Sequence, residues 1–309
     1  MTVAALLLAV ALDLAFGDPP NRLHPVAWLG RALAAGRRRL CRGSPPSLLV
    51  GGALVTLGAA ALAGLAAWVV QALSRRLGPS GALLEAVALA CLLSLRGLAA
   101  AARGVASALE RGDLEGARVA VGRDLVSRPT ATLEAEQVAS ATIESLAENL
   151  TDAFLAPACF FLVFGLPGAA VYRALNTADA MFAYREGPLE HFGKVAARLD
   201  DLLNLLPARL AGWALVGGAA LTGESAPRAL TVMRRDRRRT ASPNAGWTMA
   251  AMAGALGVVL EKPDAYRLGD GSPPAVSDIG RAIRVLAAAS ALGGLALIVA
   301  EWAVGRIVQ

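Results

Sequence analysis

The chain of 309 residues predicts an all-α fold: a polytopic integral membrane protein with about five membrane helices plus re-entrant or interfacial helices. Three observations carry that reading. Hydrophobic residues make up 56% of the chain and charged residues only 17%, against about 25% charged in a soluble domain. The apolar excess is gathered into runs close to the ~20 residues a helix needs to cross a bilayer core. The weaker runs carry polar groups at one end and Pro or Gly inside, a pattern tolerated where a broken helix lines a polar cavity. Length alone would allow one or two domains. The distribution of the runs predicts a single membrane-embedded domain over 1–309, with a soluble, mixed-charge helical excursion near 103–135.

Taken in order, residues 1–16 are short, carry Asp13 and lack a positively charged start, so they read as a retained segment and not a cleaved signal. Residues 22–42 hold Arg22, Arg31, Arg37, Arg38, Arg39 and Arg42 and read as cytoplasmic. Residues 47–73 contain no charge and are the clearest span. Glu85 and Arg96 interrupt 81–102, Pro157 and Pro167 lie inside 152–172, and Asp200, Asp201 and Asn204 open 200–222. The RRDRRR run at 234–239 places 228–239 on the cytoplasmic side. Residues 245–260 are too short to cross comfortably, and 285–308 form the last span.

Several function classes are excluded. The net charge of +6 comes from 28 Arg and 2 Lys, but aromatics are only 5% and no nucleic-acid module accompanies them. Arginines flanking membrane segments account for the charge, so no nucleic-acid partner is expected. Cys41, Cys91 and Cys159 are far apart and His24 and His191 are the only histidines, which argues against a zinc site. No GxxxxGK[ST] occurs; the nearest stretch, Gly187 to Val195, has one residue too many and lacks the Ser/Thr. A Rossmann fingerprint, GxSxG and HExxH are also missing. If the chain uses ATP, it does so without a P-loop.

Four constellations remain. At about 100° per residue, Glu144, Glu148 and Asp152 share one helical arc with Gln137, Ser140 and Thr151, beside Asn149. Three acids at the edge of an apolar segment need cations. The stripe therefore reads as a Mg²⁺ site, since hard cations take oxygen ligands, or as a face solvated or paired with arginine. Residues 172–204 place Tyr172, Asn176 and Asp179 on one face, and Lys194, Arg198 and Asp201 at the same spacing. Arg173, Arg185, Arg198 and Arg209 offer forks for phosphate or carboxylate; the alternative is membrane-flanking arginines paired with Asp200 and Asp201. In 234–247, five arginines around one Asp precede a Ser242-Pro-Asn244 turn into an apolar helix. Such a turn can hold an anion, while the arginines can equally be topogenic. In 13–26, Asp13, Asp18, Asn21, Arg22 and His24 crowd a Pro-rich turn, where His24 is either an acid/base or a structural hydrogen-bonder.

Together these stretches resemble the CbiB/CobD family over nearly the whole chain and in the same order: LDLAFGDPPNRLHPVAWLG, ASATIESLAENLTDAFLAPACFF, PGAAVYRALNTADAMFAYR with FGKVAARLDDLLNLLPARL, and RRDRRRTASPNAGWTMAAMAGALGVVLEKPDAYRLGDG. The resemblance implies adenosylcobinamide-phosphate synthase of cobalamin biosynthesis, a multi-pass protein of the cytoplasmic (inner) membrane. Such an ATP-dependent carbon–nitrogen ligase would join the propionate of adenosylcobyric acid to (R)-1-aminopropan-2-ol O-phosphate or a related amino alcohol. Its cofactors would be ATP and Mg²⁺, its surroundings membrane lipid, and its partners other late enzymes of that pathway. On residue type, Glu144, Glu148 and Asp152 would hold Mg²⁺. Arg173, Arg185, Arg198, Arg234 and Arg238 would bind phosphate and carboxylate oxygens, with Asn149, Asn176, Ser242 and Asn244 orienting polar groups. Asp179, Asp201 or His24 would take the proton from the amine. The rival reading is a transporter or binding protein for an anionic metabolite.

Overall fold

In the computed structural model, which describes residues 2–184 and 186–307, the chain folds almost entirely into helices. They run α1 (Thr2–Phe16), α2 (Pro25–Leu40), α3 (Pro45–Arg76), α4 (Gly81–Ala90), α5 (Leu95–Glu110), α6 (Leu114–Asp124), α7 (Ala135–Leu150), α8 (Ala156–Phe182), α9 (Leu189–Phe192), α10 (Lys194–Leu203), α11 (Leu205–Leu221), α12 (Ala226–Asp236), α13 (Ala245–Leu256) and α14 (Val276–Ile307). One antiparallel hairpin interrupts them, β1 (Leu260–Lys262) paired with β2 (Tyr266–Leu268). Local chemistry sets many of the ends. His24 caps α2 and Pro25 opens it, while Arg37, Arg38 and Arg39 close it against the helix dipole. The Asp113 carboxylate accepts from Gly116 N at the start of α6. Gly257, at φ 72, ends α13 and releases the chain into the hairpin.

Four stretches are long and apolar enough to cross a membrane: Pro45–Arg76, Gly78–Glu110, Ala135–Phe182 and Val276–Ala303. They become five if the bent pair Lys194–Leu203 and Leu205–Leu221 is one span. The all-α, polytopic expectation of about five spans therefore holds. The weak segments are weak for visible reasons. A turn at 91–94 separates α4 from α5 inside the second stretch. Helix α1 has 15 residues and α13 only 12, nearly all of α13 buried. Along α3, Leu54, Leu62 and Trp68 stay exposed at 62%, 69% and 60%. A stripe of that kind suits lipid, not water.

The chain divides into two compact units. The first comprises Met1–Ser94 and Ala156–Asn204, with the chain's end from Glu301. In it α3 packs on α2, α4, α8, α9 and α10. Leu33, Leu48, Ala178, Phe182, Phe192 and Ala196 form a core in which the Phe182 and Phe192 rings meet edge-on at 5.1 Å. Small residues allow the close approach: a Cβ on Gly52 would lie 1.8 Å from the Phe192 carbonyl oxygen. The second unit comprises Leu95–Leu155 and Leu205–Ala300. There α13 lies against α7, α11 and α12, the hairpin strand β1 lies on α7, and α5 packs on α6 and α7.

Two helices are broken, the stripe helix, which its spacing predicts as continuous, and α8, whose Pro157 and Pro167 mark it as a weak run. After Leu150 the stripe helix passes through a π-helical turn, Thr151–Leu155, so Asp152 leaves the 3.6-residue arithmetic that aligns Glu144 with Glu148. Within α8, Gly165 adopts φ 70, ψ −165 two residues before Pro167. That conformation is open essentially only to glycine, and a Cβ there would lie 2.4 Å from Gln71 Nε2. Gly165→Ala should therefore destabilise the protein by about 1–3 kcal/mol, read as a lower midpoint of thermal unfolding in detergent. Gly58→Ala, which meets nothing within 4 Å inside α3, should leave it unchanged or raised. Equal effects at the two positions would contradict this account of the break.

Candidate functional site

The polar residues singled out in the sequence gather into clusters within each unit. In the first unit, the turn after α1 carries Asp18 and His24. The Val26 N–H donates to His24 Nδ1 at 3.1 Å, which places the ring proton on Nε2, 3.4 Å from Asp18 Oδ1. His24 thus caps α2 with one nitrogen and faces a carboxylate with the other, and neither presents a free lone pair to a substrate amine. Ser94 Oγ donates to Asp18 Oδ2 at 2.7 Å. Burial would raise the Asp18 pKa, but these two hydrogen bonds and the charges of His24 and Arg173 outweigh it and hold the carboxyl below its usual range.

On α8 and α10 a second network uses Asp200. Asn176 Nδ2 donates to Asp200 Oδ1 at 3.1 Å and Asn204 Nδ2 to Asp200 Oδ2 at 3.0 Å. The buried Tyr172 hydroxyl donates to Asn204 Oδ1 at 2.9 Å, and Arg173 Nη1 lies 3.5 Å from Asn176 Oδ1. The face Tyr172–Asn176 therefore meets Asp200–Asn204, an i, i+4 pair, in place of the Asp201 that the Lys194/Arg198 spacing predicts. Asp179 and Asp201 are half-buried in the same unit, Arg198 is exposed, and Arg185 lies outside the described residues.

In the second unit, Glu144 is buried at 5% exposure. Its Oε1 accepts from Ser140 Oγ at 2.8 Å, and its Oε2 accepts from Tyr266 OH at 2.7 Å and lies 3.3 Å from Arg128 Nη2. Ser140 Oγ in turn accepts the Glu261 N–H at 2.9 Å, tying the hairpin to α7. Burial and the carboxylates of Glu144 and Glu148 push the Tyr266 hydroxyl well above its ordinary pKa, so it stays a donor. Glu148, one turn on, is exposed, and Asp152 is half-buried in the π turn. Asn149 turns its amide back onto Ser145 O at 3.0 Å. Arg128 keeps a buried Nε with no hydrogen-bond partner.

The arginine run forms a ladder. Asp236, fully buried, takes a bidentate fork from Arg235 at 2.9 and 2.8 Å, Arg239 Nε at 3.1 Å and the Gly269 N–H at 2.9 Å. Asp270 joins Arg228 and Arg235 at 2.8 and 2.9 Å. Arg234 lies over the Trp213 ring at 5.9 Å, and Arg238 is exposed. Ser242 Oγ accepts Asn244 N–H at 3.2 Å, shaping the turn that leads into α13.

The structure thus brings Glu144 and Glu148 to one cluster with three residues the sequence reading passed over: Arg128, Ser140 as a ligand of Glu144, and Tyr266. Among the described residues no three His, Cys, Asp or Glu side chains come together to hold a metal. The donor set still suits Mg²⁺, which is held by one or two carboxylates with water and substrate phosphates completing its shell. Glu144 and Glu148 fit that role; a closed all-protein cage does not form.

The Asp236 ladder has a pH signature. Burial raises the Asp236 pKa, but the Arg235 fork, the Gly269 N–H and the charges of Arg235 and Arg239 outweigh it, so the carboxyl is held below its usual range in the folded protein. The associated stability is present above about pH 4 and is lost as pH falls through the lowered value. Asp236→Asn should cost about 1–3 kcal/mol at neutral pH, with the gap from wild type shrinking on acidification below about pH 4. A pH-independent gap in thermal unfolding between pH 7 and pH 3 would contradict the assignment.

Comparison with known proteins finds relatives over nearly the whole chain. A relative from Methanothermobacter thermautotrophicus, described as a probable cobalamin biosynthesis protein CobD, is 42% identical over 87% of this chain and 87% of its own. The cobalamin biosynthesis protein CobD of Klebsiella pneumoniae is 39% identical over 99% of both chains. The cobalamin biosynthesis protein CbiB of Salmonella arizonae is 38% identical over 97% of both. No solved structure is detectably similar. A family model described as CobD/Cbib protein matches residues 6–292, and the chain belongs to that family.

Proposed function

We propose that the chain is the adenosylcobinamide-phosphate synthase of cobalamin biosynthesis, an ATP-dependent ligase of the cytoplasmic membrane. It joins the propionate carboxylate of adenosylcobyric acid to the amine of (R)-1-aminopropan-2-ol O-phosphate or a related amino alcohol. Family membership and relatives named for cobalamin biosynthesis support the pathway. The observation that carries the reaction class is the Glu144 carboxylate, buried yet fixed by Arg128, Ser140 and Tyr266, with Glu148 exposed one turn away. A fixed acid beside an exposed one is an oxygen-donor pair suited to Mg²⁺ and nucleotide phosphates in a chain without a P-loop.

The chemistry divides into two steps. A propionate oxygen attacks the γ-phosphorus of ATP, the bond to ADP breaks, and an acyl phosphate forms. Such a transfer depends on positioning and charge stabilisation more than on a protein nucleophile. Mg²⁺, when bound at Glu144 and Glu148 with Asp152 near by, would neutralise charge on the phosphates. By residue type, Arg173, Arg185 and Arg198 would hold phosphate and carboxylate oxygens, and Asn149, Asn176, Ser242 and Asn244 would orient polar groups. The neutral amine then attacks the acyl carbon, inorganic phosphate leaves, and Asp179 or Asp201 takes the amine proton. His24 serves the same turn by capping α2 and orienting Asp18. Membrane placement would let product pass to other late enzymes at the same surface.

The break at Gly165 is the observation that suits the rival reading, a transporter or binding protein for an anionic metabolite. Purified protein in detergent, given adenosylcobyric acid, the amino-alcohol phosphate and Mg-ATP, should yield the amide, ADP and phosphate. No product, together with substrate flux into liposomes, would support the rival. Glu148→Gln should lower kcat by about 10²-fold or more while membrane insertion is unchanged, and full activity in that variant would refute the metal assignment.

A further inference from the structure

Trp247, in the first turn of α13, carries two guanidinium groups on one indole. Arg237 Cζ lies 4.5 Å and Arg209 Cζ 5.0 Å from the ring centroid. Arg209 also donates to Asn244 Oδ1 at 3.0 Å and to the Leu205 carbonyl. The position of Arg237 is built in: a Cβ on Gly246 would lie 2.3 Å from the Arg237 carbonyl oxygen, so α13 begins directly against that residue's backbone. Among the described residues neither Arg209 nor Arg237 makes an ion pair. The neighbouring Arg228, Arg235 and Arg239 do, Arg235 and Arg239 with Asp236, and Arg228 and Arg235 with Asp270. The local carboxylates are thus spent on the ladder, and two cations are left sharing a ring. A cation–π contact favours each by about 0.5–2 kcal/mol, but like charges this close oppose one another. An anion bridging the two forks would convert that repulsion into charge-assisted hydrogen bonds.

We infer that Arg209 and Arg237, held on Trp247 beside Asn244, form a binding site for a phosphate group. Sequence alone offers Arg209 as one fork for phosphate and gives the same role to Arg234 and Arg238, but not to Arg237. Here Arg234 lies on Trp213 and Arg238 is exposed, whereas Arg209 and Arg237 share the Trp247 ring. That the phosphate belongs to a reactant rests on the ligase reading; that the site takes phosphate does not. A soluble phosphate ester and a phospholipid headgroup offer the same group.

The test is calorimetric titration of the full-length protein with inorganic phosphate. Wild type should bind it. Arg209→Gln and Arg237→Gln should each weaken binding at least about tenfold, Arg237→Lys should weaken it less by keeping charge without the fork, and the exposed Arg123→Gln should leave it unchanged. Arg237→Lys also serves should the glutamine variants fail to fold. Unaltered phosphate affinity in correctly folded Arg209→Gln and Arg237→Gln overturns the site. Titrations in nanodiscs of zwitterionic lipid and of lipid with phosphatidylglycerol separate the sources. Equal binding in both identifies a soluble ester, and binding lost only with phosphatidylglycerol identifies a headgroup. Phosphate binding that persists without amide synthesis would sink the ligase reading and leave the site standing. Loss of the site with synthesis intact would remove it from the reaction.

Discussion

A carboxylate withdrawn from water must be met by cations or several donors, and this constraint organises both units. Removing an ionised acid from water costs several kcal/mol even after relaxation, more than any single contact returns. Asp236 is met by two guanidiniums and a backbone N–H, Glu144 by a guanidinium, a phenol and a hydroxyl, and Asp18 by a histidine, a serine and the field of Arg173. Each set draws its members from distant stretches of chain. Arg128 reaches Glu144 from a loop 16 residues away, and Tyr266 reaches it across 122 residues. The acids therefore act as junctions: satisfying one fixes the positions of a loop, a helix and a hairpin together.

The same requirement links structure to chemistry. A carboxylate saturated by its neighbours is rigid but chemically quiet; Asp236 is the example. Glu144 is different, because its neighbour Glu148 on the same face remains exposed. The pair combines a fixed oxygen donor with an accessible one, which suits a divalent cation shared with substrate. The arginines divide in the same way, between those consumed by Asp236 and Asp270 and those without a carboxylate.

Much of the fold was legible from composition and run length. The uncharged run at 47–73 became α3, and the Pro- or Gly-containing runs became broken or short helices. The places where helices break were less legible. The π turn at Thr151–Leu155 follows from no single residue, since it shifts the register of an otherwise helical sequence. Gly165 could have been marked, because a glycine two residues ahead of Pro167 invites a break. The short hairpin at 260–268 was hidden by its length, although Lys262-Pro263-Asp264 is a turn signal. At the site, helical spacing found Glu144 with Glu148 and Tyr172 with Asn176. It missed Asp200, although Asp200 and Asn204 stand at i, i+4. It could not find Arg128 or Tyr266, whose partnership with Glu144 is purely tertiary.

Whether the proposed ligase activates the carboxylate with ATP before the amine takes it can be read from the fate of the carboxylate oxygens. Adenosylcobyric acid labelled with ¹⁸O in both propionate carboxylate oxygens would be turned over with Mg-ATP and the amino-alcohol phosphate. The account predicts one ¹⁸O in each inorganic phosphate released and one kept in the amide, because the oxygen that attacked phosphorus leaves with it. Phosphate free of ¹⁸O alongside amide formation would contradict the acyl-phosphate route.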